Sequence, residues 1–340
     1  MLFATTTRRR QCVTALAACL LVVAGHATAQ QPITMKMAHL TVKSGQDHWA
    51  ETLKAAIEKR APGRMKIEIY PGGQLGSPSG MTQGVQLGTI EFIQNTPEFM
   101  TGIDPRLDAF TAPGVFDGIA HAHRAMHDPE VVKTLWPLFE PKGMKMIGIA
   151  CEVTTDYGTH EPIRTVADFK GKKIRVLGSK LEIEQMRRLG ATGVPVALPE
   201  VLTALQQKAI DGARTGIVAL VGFKFSSVVK NVLRGSESPI CLIKIVNKRW
   251  FDGLPADLRA LITEEAARTD ELNLPWNLDW VEKNYEMWRA QGGVIHEFSK
   301  EDRAEFVKRS ASVGDDVFKD NPPVKAAYET LKAAAVRTRK

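Results

Sequence analysis

Among the 340 residues of this chain, Arg175 is the one whose type and setting most clearly call for chemistry. It interrupts the apolar stretch 172–177 (KKIRVL), which reads as a β-strand. A charge in such a place is costly unless it is paired or lines a cavity. Its planar fork can hold a carboxylate through two parallel hydrogen bonds, which Lys cannot reproduce. On the residues alone two readings stand: an Arg that grips a ligand, or a strand-end Arg paired with a nearby acid. Asn95 follows a short apolar stretch and is either a ligand contact or a turn former. Gln74, just after Pro71-Gly72-Gly73, fits the holding of that turn better than a ligand role, although both are open. Phe223, Phe225, Trp250 and Phe251 are candidates for the wall of a pocket, Phe223 foremost.

His121, His123 and His127 raise the question of a metal. On a helix His123 and His127 would share a face, but His121 would not, and no carboxylate or Cys completes a set. Neither a metal nor a cofactor is expected. The sequence contains no nucleophile elbow, no zinc-protease helix and no phosphate loop, so no catalytic residue is named.

These side chains need a scaffold, and the chain alternates strand and helix signals from residue 31 onward. Residues 34–40 and 65–70 read as strands, 47–60 as a helix, and 89–94 as a short buried strand, an order that places helices over a sheet. Strands are also expected at 144–153, 193–197, 210–213 and 240–246, with helices at 181–189 and 199–207. The last third reads as helical, with Pro275 dividing 255–272 from 276–291, then helices at 300–318 and 324–336. Trp276, Trp280 and Trp288 lie at helical spacing and are expected to pack between lobes.

The first residues are set apart. Arg8-Arg9-Arg10, the apolar run 13–23 and the Ala27-x-Ala29 pattern read as a secretory leader cleaved after residue 29, which implies an exported, periplasmic protein. Its removal takes three Arg and no acid, so the net charge falls from +7 to +4. That mild balance, with no basic run interleaved with aromatics, gives nucleic-acid binding no support and slightly favours an anionic solute. Cys151 and Cys241 lie in apolar runs where free buried thiols pack well; a disulfide is the alternative. About 310 mature residues exceed one ordinary core. The chain therefore divides into a leader (1–29), a mainly N-terminal α/β lobe (30–151), a mainly second α/β lobe (152–247) and a helical region bracing both (248–340).

A series of motifs resembles the solute receptors of tripartite ATP-independent periplasmic (TRAP) transporters, of the C4-dicarboxylate-receptor type. They are Gly73-Gln74-Leu75-Gly76, Gln86-Leu87-Gly88-Thr89-Ile90, His121-Ala122-His123, the stretch Asp168 to Val176, Pro199 to Gln206, Ile210-Asp211-Gly212 and Asn247 to Phe251. Their order spans nearly the whole mature chain. The resemblance implies a two-lobe α/β receptor with hinge strands and a long C-terminal helix. It also implies that Arg175 binds the ligand carboxylate and that the partners are integral-membrane transporter subunits. Departures from the family bear on the solute. Where a second Arg is often found, this chain reads Cys151-Glu152-Val153-Thr154, so Glu152 and Thr154 would meet hydroxyl or amine groups, or a cation. Where the family has an Asn after the Asp-Gly turn, Thr215 offers a smaller hydrogen-bonding group. The expected function is capture of a small organic acid in an interlobe cleft. The alternatives are an extracytoplasmic sensor or, from another class, a periplasmic enzyme acting on a carboxylate.

Overall fold

A computed structural model describes residues 31–236 and 238–340. The expected leader lies outside the described residues. Five strands form the first sheet. β1 (Ile33–Ala38), α1 (Gly45–Arg60), β2 (Met65–Tyr70), α2 (Pro78–Leu87) and β3 (Phe92–Asn95) alternate as the patterning predicts, and β1 pairs in parallel with β2 and β3. Two short helices, α3 (Ile119–Met126) and α4 (Pro129–Leu135), precede β4 (Met144–Thr154).

From β4 the chain passes through Thr155 alone into β5 (Asp156–Thr159), which belongs to a different sheet. This second sheet collects β6 (Lys173–Val176), then, after α5 (Lys180–Arg188), β7 (Thr192–Pro195), and after α6 (Val201–Gln206), β8 (Gly212–Thr215). Helix α7 (Ile217–Gly222) leads to β9 (Asn231–Leu233), and β10 (Pro239–Asn247) then returns to the first sheet between β3 and β4, antiparallel to both. Residues 239–247 thus belong with the N-terminal lobe rather than with the block 152–247. The first crossing is close to the continuous strand expected between lobes; the second is not, since β9 ends at Leu233 and β10 begins at Pro239. Buried Asp156 fastens the crossing: its carboxylate accepts from the Ile217 N–H at 3.0 Å and the Tyr285 hydroxyl at 2.9 Å.

The final segment comprises α8 (Lys248–Asp252), α9 (Ala256–Ala290), β11 (Val294–His296), α10 (Lys300–Ala311), α11 (Val313–Val317) and α12 (Pro322–Thr338). The expected break at Pro275 is absent, because α9 runs unbroken for 35 residues with that proline inside it. An interior proline forfeits a backbone hydrogen bond and crowds the preceding turn, at about 3 kcal/mol. Packing on both sides offsets this: the first half of α9 lies on α1 and β4, the second on α7 and β11. The interruption falls instead at Ser312, which separates α10 from α11.

The thiols are a second correction. The β4–β10 register sets Cys241 opposite Cys151, and the two form a disulfide rather than two free buried thiols. Of the tryptophans, Trp288 is buried and donates to the Lys230 carbonyl at 3.1 Å. Trp276 and Trp280 differ from expectation: they remain partly exposed and stack on each other and on His48 of α1.

Candidate functional site

In β6, Ile174 and Val176 enter the core of the second lobe with Phe169 and Met186. Period-two alternation therefore turns Arg175 to the opposite face. Asp211 pins the strand by accepting from the Lys173 N–H at 2.7 Å, while its own N–H donates to the Lys173 carbonyl at 2.8 Å. Next to it Gly212 is required by close approach, since a Cβ there would sit 2.4 Å from Thr159 Cγ2. The Ile210-Asp211-Gly212 motif is thus the clamp that aims β6.

Arg175 is fully buried. Its Nε donates to the Val196 carbonyl at 2.8 Å and its Nη1 to the Arg214 carbonyl at 3.2 Å, whereas Nη2 has no partner. No carboxylate among the described residues pairs with it. The nearby acid Glu182 is engaged by Arg214 and by the Leu177 N–H at 2.6 Å. Burial lowers the guanidinium to about 10, which leaves it charged at neutral pH. Two carbonyls thus hold the fork and leave one nitrogen for something not supplied by the protein.

That nitrogen belongs to a side chain lining a cavity of about 620 Å³ between the two sheets. The volume suits a small solute. The first lobe contributes Leu40, Thr41, Ser44 to Gln46 and Glu152; the second contributes Leu177, Thr215, Val218 and Phe223. Gln46 shapes the rim, its Oε1 accepting from the N–H groups of Leu40 at 2.9 Å and Thr41 at 3.2 Å. Apolar side chains, Val153, Leu198, Ile240 and Leu242 among them, occupy the middle.

The cavity brings together four of the expected residues: Arg175, Glu152, Thr215 and Phe223. The other three stand elsewhere. Asn95 is buried within its own lobe, where its Nδ2 donates to the Pro78 carbonyl and to Thr82 Oγ1, each at 3.0 Å, and its Oδ1 accepts from Thr96 N. It fastens α2 to β3, because both its amide hydrogens and one carbonyl lone pair are used there. Gln74 is exposed in the turn, and its backbone N–H closes on the Pro71 carbonyl at 3.3 Å. The turn's glycines, Gly72, Gly73 and Gly76, reach the cavity, and the Gln side chain does not. Thr154 is buried at the end of β4, opposite Pro239, outside the lining.

Glu152 carries the strongest perturbation on the wall. Burial pushes its carboxyl up to about 8, despite the opposing pull of Lys244, and its Oε1 has no partner. Outside the lining, burial and the proximity of Glu182 raise Glu98 to about 7. Asn277 and Gly45 were not singled out in the sequence, yet both line the cavity beside Glu152. A Cβ on Gly45 would lie 2.2 Å from Asn277 Oδ1 and 2.7 Å from the Glu152 carboxyl, so only glycine fits. The available signal was the series Asp270, Asn273, Asn277, Asn284, polar residues at helical spacing that all prove buried.

The histidines make no metal site. His123 reaches Glu271 at 3.3 Å and His127 reaches Asp270 at 3.5 Å, and among the described residues no cluster of three or more metal-ligating side chains occurs. No described helix is long and apolar enough to cross a membrane.

Comparison with known proteins agrees with this architecture. The 2,3-diketo-L-gulonate-binding periplasmic protein of Escherichia coli is 27% identical over 235 residues, 68% of this chain and 71% of that protein. A solute-binding protein of Verminephrobacter eiseniae is 27% identical over 310 residues, covering 91% of each. Among solved structures, a TRAP periplasmic solute binding protein of Desulfovibrio salexigens with bound orotic acid superposes with a TM-score of 0.84 at 22% identity, covering 90% of this chain and 99% of that one. The family model described as bacterial extracellular solute-binding protein, family 7, matches residues 37–321, and the chain belongs to that family.

Proposed function

We propose that this chain is a periplasmic receptor that captures a small organic acid between its lobes and delivers it to the membrane subunits of a TRAP transporter. The observation that carries the proposal is the guanidinium of Arg175, buried, charged and facing the cavity with Nη2 unpartnered. A ligand carboxylate would complete its hydrogen bonds and supply the missing counter-charge. The relatives named for 2,3-diketo-L-gulonate and bound to orotic acid support an acid as solute. Residues 1–29 would serve as the export leader. Thr215 and Phe223 would shape selectivity, the first by a hydroxyl and the second by an apolar wall. Capture would proceed by hinge closure about the β4–β5 and β9–β10 crossings, with no covalent step.

The test is a thermal-shift screen of organic acids followed by calorimetry on the hits. A ligand that binds only the folded state raises the melting temperature. Arg175→Ala should weaken each hit by roughly 2–5 kcal/mol, the loss expected when one partner of a buried charge pair is removed. Hits whose affinity survives that substitution would remove Arg175 from the site, and a screen without hits would remove the organic-acid reading.

A further inference from the structure

The wall of the cavity opposite Arg175 carries a second pair of unsatisfied groups. Glu152 Oε1 and Asn277 Nδ2 are both buried, both lack hydrogen-bond partners, and both belong to residues lining the cleft. They come from different elements, β4 and α9, and meet where Gly45 begins α1. The absent side chain at Gly45 leaves room for both residues, since a Cβ there would collide with Asn277 Oδ1 and with the Glu152 carboxyl at Cδ and Oε2. Orphaned buried polar atoms are rare, and each needs an explanation. Two side by side on a ligand-sized cavity point to a group that the solute brings.

The two ends of the cleft have different charged neighbours. The charges that bear on Arg175 are Glu182, Arg214 and Glu98, and those that bear on Glu152 are Lys244, Asp270 and Asp47. The two sets share no member. Arg175 reaches the cavity from the second sheet and Glu152 from the first, and apolar residues such as Leu242 and Val153 lie in the lining with them.

Building on the organic-acid reading, we propose that Glu152 and Asn277 form a hydroxyl-recognising subsite, so that the solute is a monocarboxylate carrying an alcohol group remote from the carboxylate held by Arg175. An alcohol meets both needs at once, whether or not Glu152 carries its proton. Its oxygen accepts from the Asn277 Nδ2–H while its O–H donates to Glu152 Oε1. A second carboxylate would accept from Asn277 and Glu152 only while Glu152 keeps its proton, and it would be repelled once Glu152 ionises; a methyl end would leave both orphans unmet. An ammonium would satisfy Glu152 and turn a like charge toward Lys244 and toward the Asn277 donor.

The experiment uses straight-chain acids of four to eight carbons, each as the ω-hydroxy acid and as its deoxy, ω-amino and ω-carboxy counterparts. Calorimetry on the intact mature protein measures each. At the length that fits, the hydroxy acid should bind roughly tenfold more tightly than its deoxy counterpart, the worth of one to two net hydrogen bonds. In Glu152→Met and Asn277→Leu, melting temperature first establishes that each variant is folded, and the hydroxy-to-deoxy ratio should then fall toward one. Arg175→Ala should weaken all members together. Three results would overturn the subsite: no hydroxyl advantage at any length, a preference for the ω-amino acid, or a ratio that survives both substitutions. The first leaves the organic-acid receptor standing if other acids still bind in an Arg175-dependent way. Failure of every acid, in this series and in the wider screen, removes the receptor reading itself.

Discussion

Each sheet of this protein has a cation at zero exposure in an apolar strand, and the surroundings of the two differ. Lys244 of β10 and Arg175 of β6 are both fully buried. Lys244 faces an acid: its ammonium makes no hydrogen bond but lies 3.6 Å from Asp270 Oδ1 and 5.1 Å from the centre of the Trp49 ring. Burial opposes the charge on Asp270, yet Lys244, His127 and the Trp49 hydrogen bond together hold its carboxyl below the ordinary range. The same carboxylate accepts from the Ile149 N–H at 3.0 Å, so it ties β4, α1 and α9 together. Arg175 has carbonyls where Lys244 has an acid, and a cavity where Lys244 has protein. We read a buried charge with an acid as architecture, and one left without an acid beside a cavity as the proposed site.

Breaking the Lys244 side should give the largest effect. Asp270→Asn keeps the shape and removes the charge, leaving an ammonium buried without a counter-ion. Removing one member of a buried pair destabilises by about 3–5 kcal/mol. Urea unfolding should show a loss of that order, and a loss under about 1 kcal/mol would mean that Lys244 is satisfied by something other than Asp270.

A smaller effect, with a distinctive pH signature, is expected at the carboxyl between these two regimes. Glu152 is raised from 4.5 to about 8, so the folded protein holds its proton more tightly than the unfolded chain does. The contribution of this group to stability is therefore fully present below about pH 4.5, declines as pH rises toward 8, and stays low above that. Glutamine does not titrate, so Glu152→Gln should gain on the wild type across that window, by about 1–3 kcal/mol once the buried site has partly relaxed around the charge. Parallel melting curves at pH 5 and pH 8.5 measure the gain, and an equal difference at both would show that burial does not perturb Glu152.

How much of this was legible in the sequence follows from the same comparison. The rule that a charge in an apolar strand must be paired or line a cavity applies equally to Lys244 and Arg175. Nothing in either strand says which is which; the resemblance selected Arg175, and the structure sets an acid beside Lys244 and a cavity beside Arg175. The alternation of strands and helices was readable because each element has its own period. The continuity of α9 through Pro275 was not, because packing on two lobes at once outweighs a local propensity. Asn95 misled because a loop after a buried strand can face either a cleft or its own helix, and only the backbone decides. Glu152 and Asn277 are 125 positions apart and meet at a glycine, a coincidence of tertiary structure that no spacing rule reports.

The smallest stability effect should come from Arg175 itself, and it is the sharpest check on the contrast. Arg175→Met removes a buried cation with an unpartnered Nη2, which relieves desolvation, and withdraws hydrogen bonds from the Val196 and Arg214 carbonyls, which costs about 1 kcal/mol each. These contributions oppose each other, so the folded protein should change by less than about 1 kcal/mol in urea unfolding while acid binding is lost. That pairing of unchanged stability with lost binding is what separates a residue held ready for a ligand from one that holds the lobe together. If Arg175→Met instead destabilised as much as Asp270→Asn, the guanidinium would be a structural ion like Lys244, and the unpartnered nitrogen would have to find its counter-charge inside the protein.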